Sequence, residues 1–552
     1  MKLYFTCTLI FFYALAFAQP KTTSQPLSKL QTWQLLDYEQ DSVYGTSVNR
    51  AYKELLKGKK SQPVIVAVID EGVDITQEDL QGHIWTNKKE IAGNGIDDDK
   101  NGYTDDVNGW NFLGGADGKM MYAVSSDADR EYARLLPQFS NVKDSAEEIK
   151  NKDYQYFLLV KKRHKEDSAA RMEPINPALI QFLQKLSIAD STMKQLTKKQ
   201  NVYLEDLNSF EPKDSVSKST KQYILNFYAM VPRQFKLLSF DSLINDRMEY
   251  IQERKNEHDQ YAKLGNDPNE LRKEIVGDDP LDINDTHYGN NIVGDKYAEH
   301  GTHCSGIIAA IRNNGIGMDG ITDNVLIMSV RAGGTFGVGD ESDKDIALAI
   351  RYAADNGAKI ISMSFGKIFS PQKQWVDDAV KYAEKKGVLL IHAAGNDYTD
   401  IDTISFYPTP YFLNASGKAN NMITVGAMSS DTGFTLTAPF SNYGQKEVDV
   451  FAPGVEIYSS VPGNKYKSYS GTSMAAPVVA GVAALIWEYY PMLNAAQVKD
   501  IILRSVTSLR GKMVNKPGTH GKVKVDFATL CVSGGVVNAY KALQLAATIS
   551  SN

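Results

Sequence analysis

The sequence predicts an α/β fold: a three-layer, doubly wound, mostly parallel sheet with helices on both faces, carrying a mostly α-helical insertion. Three observations point there. Val64-Ile65-Val66-Ala67-Val68-Ile69-Asp70 is one continuous β-branched and apolar run, as expected of a strand buried on both faces. From about residue 300 onward such runs recur with helical segments between them. That alternation builds parallel strands joined by right-handed crossovers. Between about 116 and 279 the pattern changes to Lys, Glu, Asp, Gln and Tyr with little glycine.

The chain has 552 residues, 43% hydrophobic and 23% charged, with a formal net charge of −6. Such mild acidity gives no reason to expect nucleic acid as a partner. Met1-Lys2, the apolar run Leu3 to Leu15 and the small-x-small triplet Ala16-Phe17-Ala18 read as a secretory signal peptide over residues 1–18. Gln19 is then the first mature residue. The run is short for a membrane span, which needs about 20 residues, and Cys7 lies inside it. Export to the medium or a periplasm is therefore expected, with no stable membrane span once the signal is removed. Two cysteines remain, Cys304 and Cys531. So few do not form a disulfide framework, and two buried free thiols are expected.

Residues 19–60 form a short leader, helical around Ser47 to Leu56 and closed by Lys57-Gly58-Lys59-Lys60. Residues 61–115 and 280–552 form the expected α/β domain, and 116–279 the insertion. Further strands are expected at Val325 to Val330, Ile360 to Met363, Val388 to His392 and Met422 to Val425. Helices are expected at Asp343 to Asn356 and Gln374 to Lys386, with Gly357 and Gly387 as C-caps. In the insertion, Asn176 reads as an N-cap and Pro177 as the first helical residue. Leu179, Phe182, Leu183 and Leu186 follow at i, i+3, i+4 and i+7. Two more helices are expected over Gln222 to Met230 and Phe235 to Ala262. A disordered charged linker is the alternative, and the regular apolar positions argue against it. A last helix is expected near Val537 to Ala547. No internal repeat is evident.

Three segments carry chemistry-bearing residues. Asp70 ends the first strand, where α/β folds place their sites. His300-Gly301-Thr302-His303-Cys304-Ser305-Gly306 leads into an apolar run, and its two histidines and cysteine also resemble metal ligands. Ser470-Gly471-Thr472-Ser473-Met474-Ala475-Ala476-Pro477 sets one serine among small residues at the entry to an apolar helix. There the helix dipole favours developing negative charge. A fourth segment, Asp97-Asp98-Asp99-Lys100-Asn101-Gly102-Tyr103-Thr104-Asp105, follows the first nine positions of an EF-hand loop. The twelfth position is Asn108, not the usual bidentate Glu. Asp97, Asp99, Asn101, Tyr103 and Asp105 are the expected ligands of a structural Ca²⁺. A solvated acidic turn is the plainer reading.

Taken in order, the Asp, His and Ser segments resemble those of the subtilisin-like serine proteases, the subtilase family. The resemblance covers about 61–115 and 280–552. It implies a serine endopeptidase acting on protein or peptide substrates, with Ser473 as nucleophile, His300 as general base and Asp70 orienting the imidazole. His303 matches the family's second histidine, which is not the base, and Cys304 a structural cysteine. Ala393-Ala394-Gly395-Asn396 resembles the segment supplying the oxyanion-hole asparagine, Asn396. Ser364, Phe365 and Gly366, with Ala394 and Gly395, are the implied substrate-binding residues, pairing with an extended backbone. Broad specificity with an apolar preference is the expectation. The chain departs from the family pattern in the 230 positions between Asp70 and His300 and in a leader too short for a folded prodomain. The insertion is expected to shade the cleft, recruit substrate or a partner, or decorate the surface.

Overall fold

The computed structural model describes residues 31–142, 150–172, 176–230, 239–265, 267–335, 339–414 and 417–550. The expected signal peptide, and the first residues of the leader, lie outside this range. Strands β1 (Val64–Asp70), β2 (Gly109–Asn111), β3 (Val325–Arg331), β4 (Ile360–Met363), β5 (Leu389–Ala393), β6 (Met422–Met428) and β7 (Val450–Pro453) form the body of one sheet. A hairpin, β8 (Ile457–Val461) and β9 (Lys465–Tyr469), follows. Short strands β10 (Thr507–Ser508), β11 (Met513–Asn515), β12 (Lys524–Asp526) and β13 (Gly535–Val536) complete the set. The large sheet runs β10-β13-β7-β6-β5-β4-β1-β3-β2. Every neighbouring pair in it is parallel except β10 with β13.

The helices are α1 (Tyr38–Asp41), α2 (Val48–Ala51), α3 (Asp127–Phe139), α4 (Lys152–Arg171), α5 (Pro177–Thr197), α6 (Leu204–Ser209), α7 (Ser215–Met230), α8 (Phe240–Tyr261) and α9 (Pro268–Ile275). They continue as α10 (Glu299–Ala309), α11 (Asp343–Asp355), α12 (Lys373–Lys385), α13 (Thr472–Tyr489), α14 (Ala495–Arg504) and α15 (Ala539–Ser550). Alternation along β1 shows the three layers. Val64, Val66 and Val68 enter a core shared with α10, α13, α14 and α15. Ala67 and Ile69 enter a second core shared with α11 and α12. A run apolar on both faces is what this requires.

Most expected elements appear within a residue or two of their predicted bounds. The leader helix is split, since α2 passes into a π-helical turn over Tyr52–Leu56. The helix expected from Phe235 is seen from Phe240, its first residues lying outside the described range. The spacing puts Leu179 on the apolar face of α5, yet it is exposed, whereas Leu183 and Leu186 are buried. In the first turn it is the neighbouring Ile180, not Leu179, that packs against the core. The short strand β2 and the strand ending at Pro453 give no periodic signal long enough to read.

Between Asp127 and Ile275 the described elements are all helical. Leu183, Leu186, Met193, Ile224, Tyr228, Phe240, Ile244 and Ile251 make a core of their own there. Buried ion pairs fasten this unit at both ends to the start of α11. At the entry, the Lys367 ammonium meets Asp127 and, at 2.8 Å, Asp343. At the exit, Arg272 reaches Asp278 at 2.8 Å and Asp345 at 2.6 Å, and Lys344 reaches Asp278 at 2.8 Å. Removing one partner strands a buried charge, which typically costs about 3–5 kcal/mol. Lys367→Ala is therefore expected to lower stability by that order and to expose the 127–140 region to limited proteolysis. An unchanged melting curve and digestion pattern would show that the entry is not held this way.

Candidate active site

The expected site residues sit where strands end and helices begin. Asp70 is the last residue of β1, Ser364 follows β4, and Asn396 lies three residues beyond β5. His300 and Ser473 are each the second residue of a helix, α10 and α13. All face the C-terminal edge of the parallel sheet, where crossing connections open a crevice.

Local packing explains the sequence around each group. A Cβ on Gly301 would lie 2.1 Å from the Gly72 carbonyl oxygen, so glycine lets α10 press against the turn leaving β1. Thr302 Oγ1 accepts from the Asp74 backbone N–H at 2.8 Å and fixes that contact. The His300 ring then meets Asp70, with Nδ1 at 2.9 Å from Oδ1 and 3.0 Å from Oδ2. A carboxylate only accepts, so Nδ1–H donates and the neutral ring keeps its lone pair on Nε2. Asp70 Oδ1 also accepts from the Glu71 N–H at 2.8 Å.

Asn396 is held by its own acceptor. Its Oδ1 takes Thr472 N–H at 2.9 Å and Thr472 Oγ1–H at 3.0 Å, which turns Nδ2 the other way. A Cβ added to Gly471 would lie 3.5 Å from Ser473 N and 3.6 Å from Asn396 Nδ2, so both nitrogens lie close to Gly471, beside the serine. Gly395 takes a left-handed φ of +98°, and a Cβ there would meet Asn442 Nδ2 at 2.3 Å. Asn442 in turn ties down the segment, donating to Ala394 O at 2.9 Å and accepting from Asp397 and Thr399 N–H at 3.0 and 2.8 Å.

Asp70, His300, Ser364, Phe365, Asn396 and Ser473 line one cavity of about 660 Å³. Gly366, Ala394 and Gly395 stand behind that wall, with Gly366 and Gly395 against Phe406. Ser473 Oγ–H donates to the Ser364 carbonyl at 3.0 Å. Cys304 is buried and free, as is Cys531. The Cys304 Sγ–H donates to Ser473 O at 3.4 Å, and burial pushes the thiol well above its ordinary range. His303 does not join His300; its Nε2 faces the Lys467 carbonyl at 3.1 Å.

In the acidic loop the carboxylates that converge are Glu90, Asp97 and Asp99, each with an oxygen within 4.8 Å of the others. Glu90 Oε2 is buried and makes no hydrogen bond among the described residues. Asn101 Oδ1 is engaged by the Tyr103 N–H at 2.8 Å. Asp105 is turned elsewhere, accepting from Gly93, Asn94 and Gly95 N–H at 2.8–3.3 Å. The nine-residue motif does not contain Glu90, which is why the sequence reading missed it.

Residues 61–521 match the family model described as the subtilase family. The chain belongs to the subtilase family. Among its relatives, a thermophilic serine proteinase of Bacillus sp. (strain AK1) is 42% identical over 38% of this chain and 44% of its own length. Thermitase of Thermoactinomyces vulgaris is 36% identical over 50% of this chain and 84% of thermitase. The cell wall-associated protease of Bacillus subtilis (strain 168) is 36% identical over 42% of this chain and 24% of its length.

This subtilase surrounds its histidine with acids. Glu71 is buried and its Oε1 accepts the His300 backbone N–H at 2.6 Å. Burial foremost, then the Asp70 charge, pushes Glu71 up to about 8. Glu341 lines the same cavity, and burial pushes it up to about 7. Burial pulls His300 down, but Asp70, Glu71 and Glu341 together outweigh it and hold the ring up at about 9. A general base works only when neutral. The rising limb of kcat/KM against pH is therefore expected on the alkaline side of the ordinary histidine value of about 6.5. Glu71→Gln keeps an acceptor for the backbone N–H and removes the charge, so it should move that limb to lower pH. Superimposable profiles for the two proteins would show that Glu71 does not act on the ring.

Proposed function

We propose that this subtilase is an exported serine endopeptidase that cuts extended polypeptides through an acyl-enzyme. The observation that carries the reading is one cavity lined by Asp70, His300, Asn396 and Ser473, in which the His300 ring is paired with Asp70 at 2.9 Å. In the proposed reaction Ser473 Oγ swings from the Ser364 carbonyl toward His300, between staggered rotamers. His300 Nε2 takes the hydroxyl proton as Oγ bonds to the substrate carbonyl carbon. The carbonyl oxygen, now an alkoxide, lies between Ser473 N–H and Asn396 Nδ2. Asp70 stabilises the imidazolium. Collapse of the intermediate breaks the C–N bond, and the amine leaves with the proton from Nε2. A water then repeats the sequence in reverse roles and frees the acid and Ser473. The segments Ser364–Phe365 and Gly333–Thr335 both line the cavity, and their backbones suit a substrate strand laid along them.

Two further parts of the reading concern location and calcium. The basic start, apolar run and Ala-x-Ala triplet support export, as does the kinship with a cell wall-associated protease. Glu90, Asp97 and Asp99 fit a hard cation, since oxygen donors suit Ca²⁺ and the buried Glu90 Oε2 otherwise has no partner among the described residues. Bound Ca²⁺ would neutralise the converging charges and tie Glu90, ahead of the acidic loop, to the loop itself.

Ser473→Ala should abolish hydrolysis of casein, and Asn396→Ala should lower kcat by about 10²–10³-fold. The purified wild-type chain should be labelled by a fluorophosphonate and Ser473→Ala should not. Wild-type caseinolysis in the serine variant would end the assignment. Chelation with EDTA should lower the melting temperature, and added Ca²⁺ should restore it, because a ligand of the folded state stabilises it by mass action. Identical melting curves in chelator and in excess Ca²⁺ would count against the cation.

A further inference from the structure

The catalytic cavity is not built from the α/β body alone. Asn256, on helix α8 of the insertion, lines it together with Asp70, His300 and Ser473. The placement follows from the pattern of α8. Phe240, Ile244 and Ile251 bury one side of the helix in the insertion's own core. Asn256 lies five positions beyond Ile251, which is about 140° further around the helix axis. Its side chain is thus turned out of the insertion core and toward the cleft, where it is half-buried.

The amide is oriented as well as placed. Gln252 Nε2–H donates to Asn256 Oδ1 at 3.0 Å, one turn earlier on the same helix. That leaves Asn256 Nδ2 with no hydrogen bond among the described residues. Asn256 thus presents an amide in the cavity wall, as Asn396 does, although the oxygen of Asn256 is held by an exposed neighbour on its own helix. The insertion that carries it is fastened at both ends by buried ion pairs. Both ends of the unit that carries α8 are therefore held beside the α/β body.

We infer that Asn256 is a substrate-binding residue of the peptidase, and that α8 forms a roof over the cleft that admits extended chains and excludes folded ones. This rests on the reading of the site given above. Asn256 Nδ2 donates to a backbone carbonyl of the substrate. An amide donor is indifferent to side chains, so the contact selects for an exposed extended backbone and not for a particular residue.

The first test uses the full chain. Asn256→Ala is expected to raise KM for an unstructured peptide of eight or more residues by about five- to tenfold, the range of one neutral hydrogen bond, with kcat shifting less than twofold. Equal KM values for the variant and the wild type would overturn the binding role. Asn256→Cys, in the chain freed of residues 1–18 and so of Cys7, provides a second measurement in which the fold is its own control, since Cys304 and Cys531 are buried. Coupling the introduced thiol to reagents of increasing size should lower casein hydrolysis more than tenfold for the largest, relative to the same variant before coupling. Undiminished hydrolysis with the largest reagent attached would remove α8 from the cleft wall. Fluorophosphonate labelling of the wild type keeps the two questions apart: a wild type that does not label fails the peptidase reading itself, whereas one that labels while both Asn256 tests come out negative fails only the roof.

Discussion

The hydrogen bond between Asp70 and His300 joins residues 230 positions apart, and the rest of the architecture serves to make that contact. The chain leaves β1 at Asp70, builds β2 and a helical unit, and must return with α10 seated on the same turn. Loop-closure entropy rises only slowly with length, so a long excursion is tolerable. A returning segment still needs a defined docking surface. Gly301 supplies it by letting α10 approach the Gly72 carbonyl, and Thr302 closes it on Asp74. The ion pairs on α11 hold the two ends of the excursion beside the sheet edge. The His300 position is therefore set by contacts on both sides of a very long loop.

Electrostatics follow from the same crowding. Seating α10 on the end of β1 brings the His300 backbone N–H onto Glu71 and the ring onto Asp70. One acid orients the helix start and the other the imidazole. Both add negative potential, and Glu341 adds more from across the cavity. This favours the imidazolium that a proton-abstracting base must become. The same potential makes the neutral ring scarcer at moderate pH. Transition-state stabilisation and resting-state availability pull in opposite directions. Glu71 and Glu341 are themselves held up near neutrality, so their charge on the ring grows as pH rises.

The strands of the sheet were legible because their signals are local. Continuous apolar runs at Val64–Asp70 and Ile360–Met363 fix strands without reference to anything distant. The order of the Asp, His and Ser segments was legible through family likeness, where spacing alone would have said little. Other parts depend on folding and left no linear trace. Glu90 lies seven positions ahead of Asp97, outside any loop motif, and meets it only because the turn doubles back. Glu71 stood in the open next to Asp70, yet its role rests on a helix start that arrives from residue 300. Lys367 follows the Ser364–Gly366 segment in sequence, but its buried partner Asp127 is 240 positions away. No periodicity or motif encodes a pairing of that range.

Asn256 shows how such distant pairings become functional. Nothing in its own neighbourhood marks it, since a polar residue on a charged helix is the commonest kind of solvated position. Its setting is decided by three separate facts: which side of α8 the insertion core consumes, where the ion pairs fasten the insertion, and where β1 and α13 present the serine and histidine. Each has a physical cause of its own, and none is specific to catalysis. A helical unit that buried the opposite side of α8, with the same anchors, would turn Asn256 away from the cavity. On the proposed reading, access to the cavity is tied to the hydrophobic pattern of a segment that carries none of the Asp, His or Ser motifs.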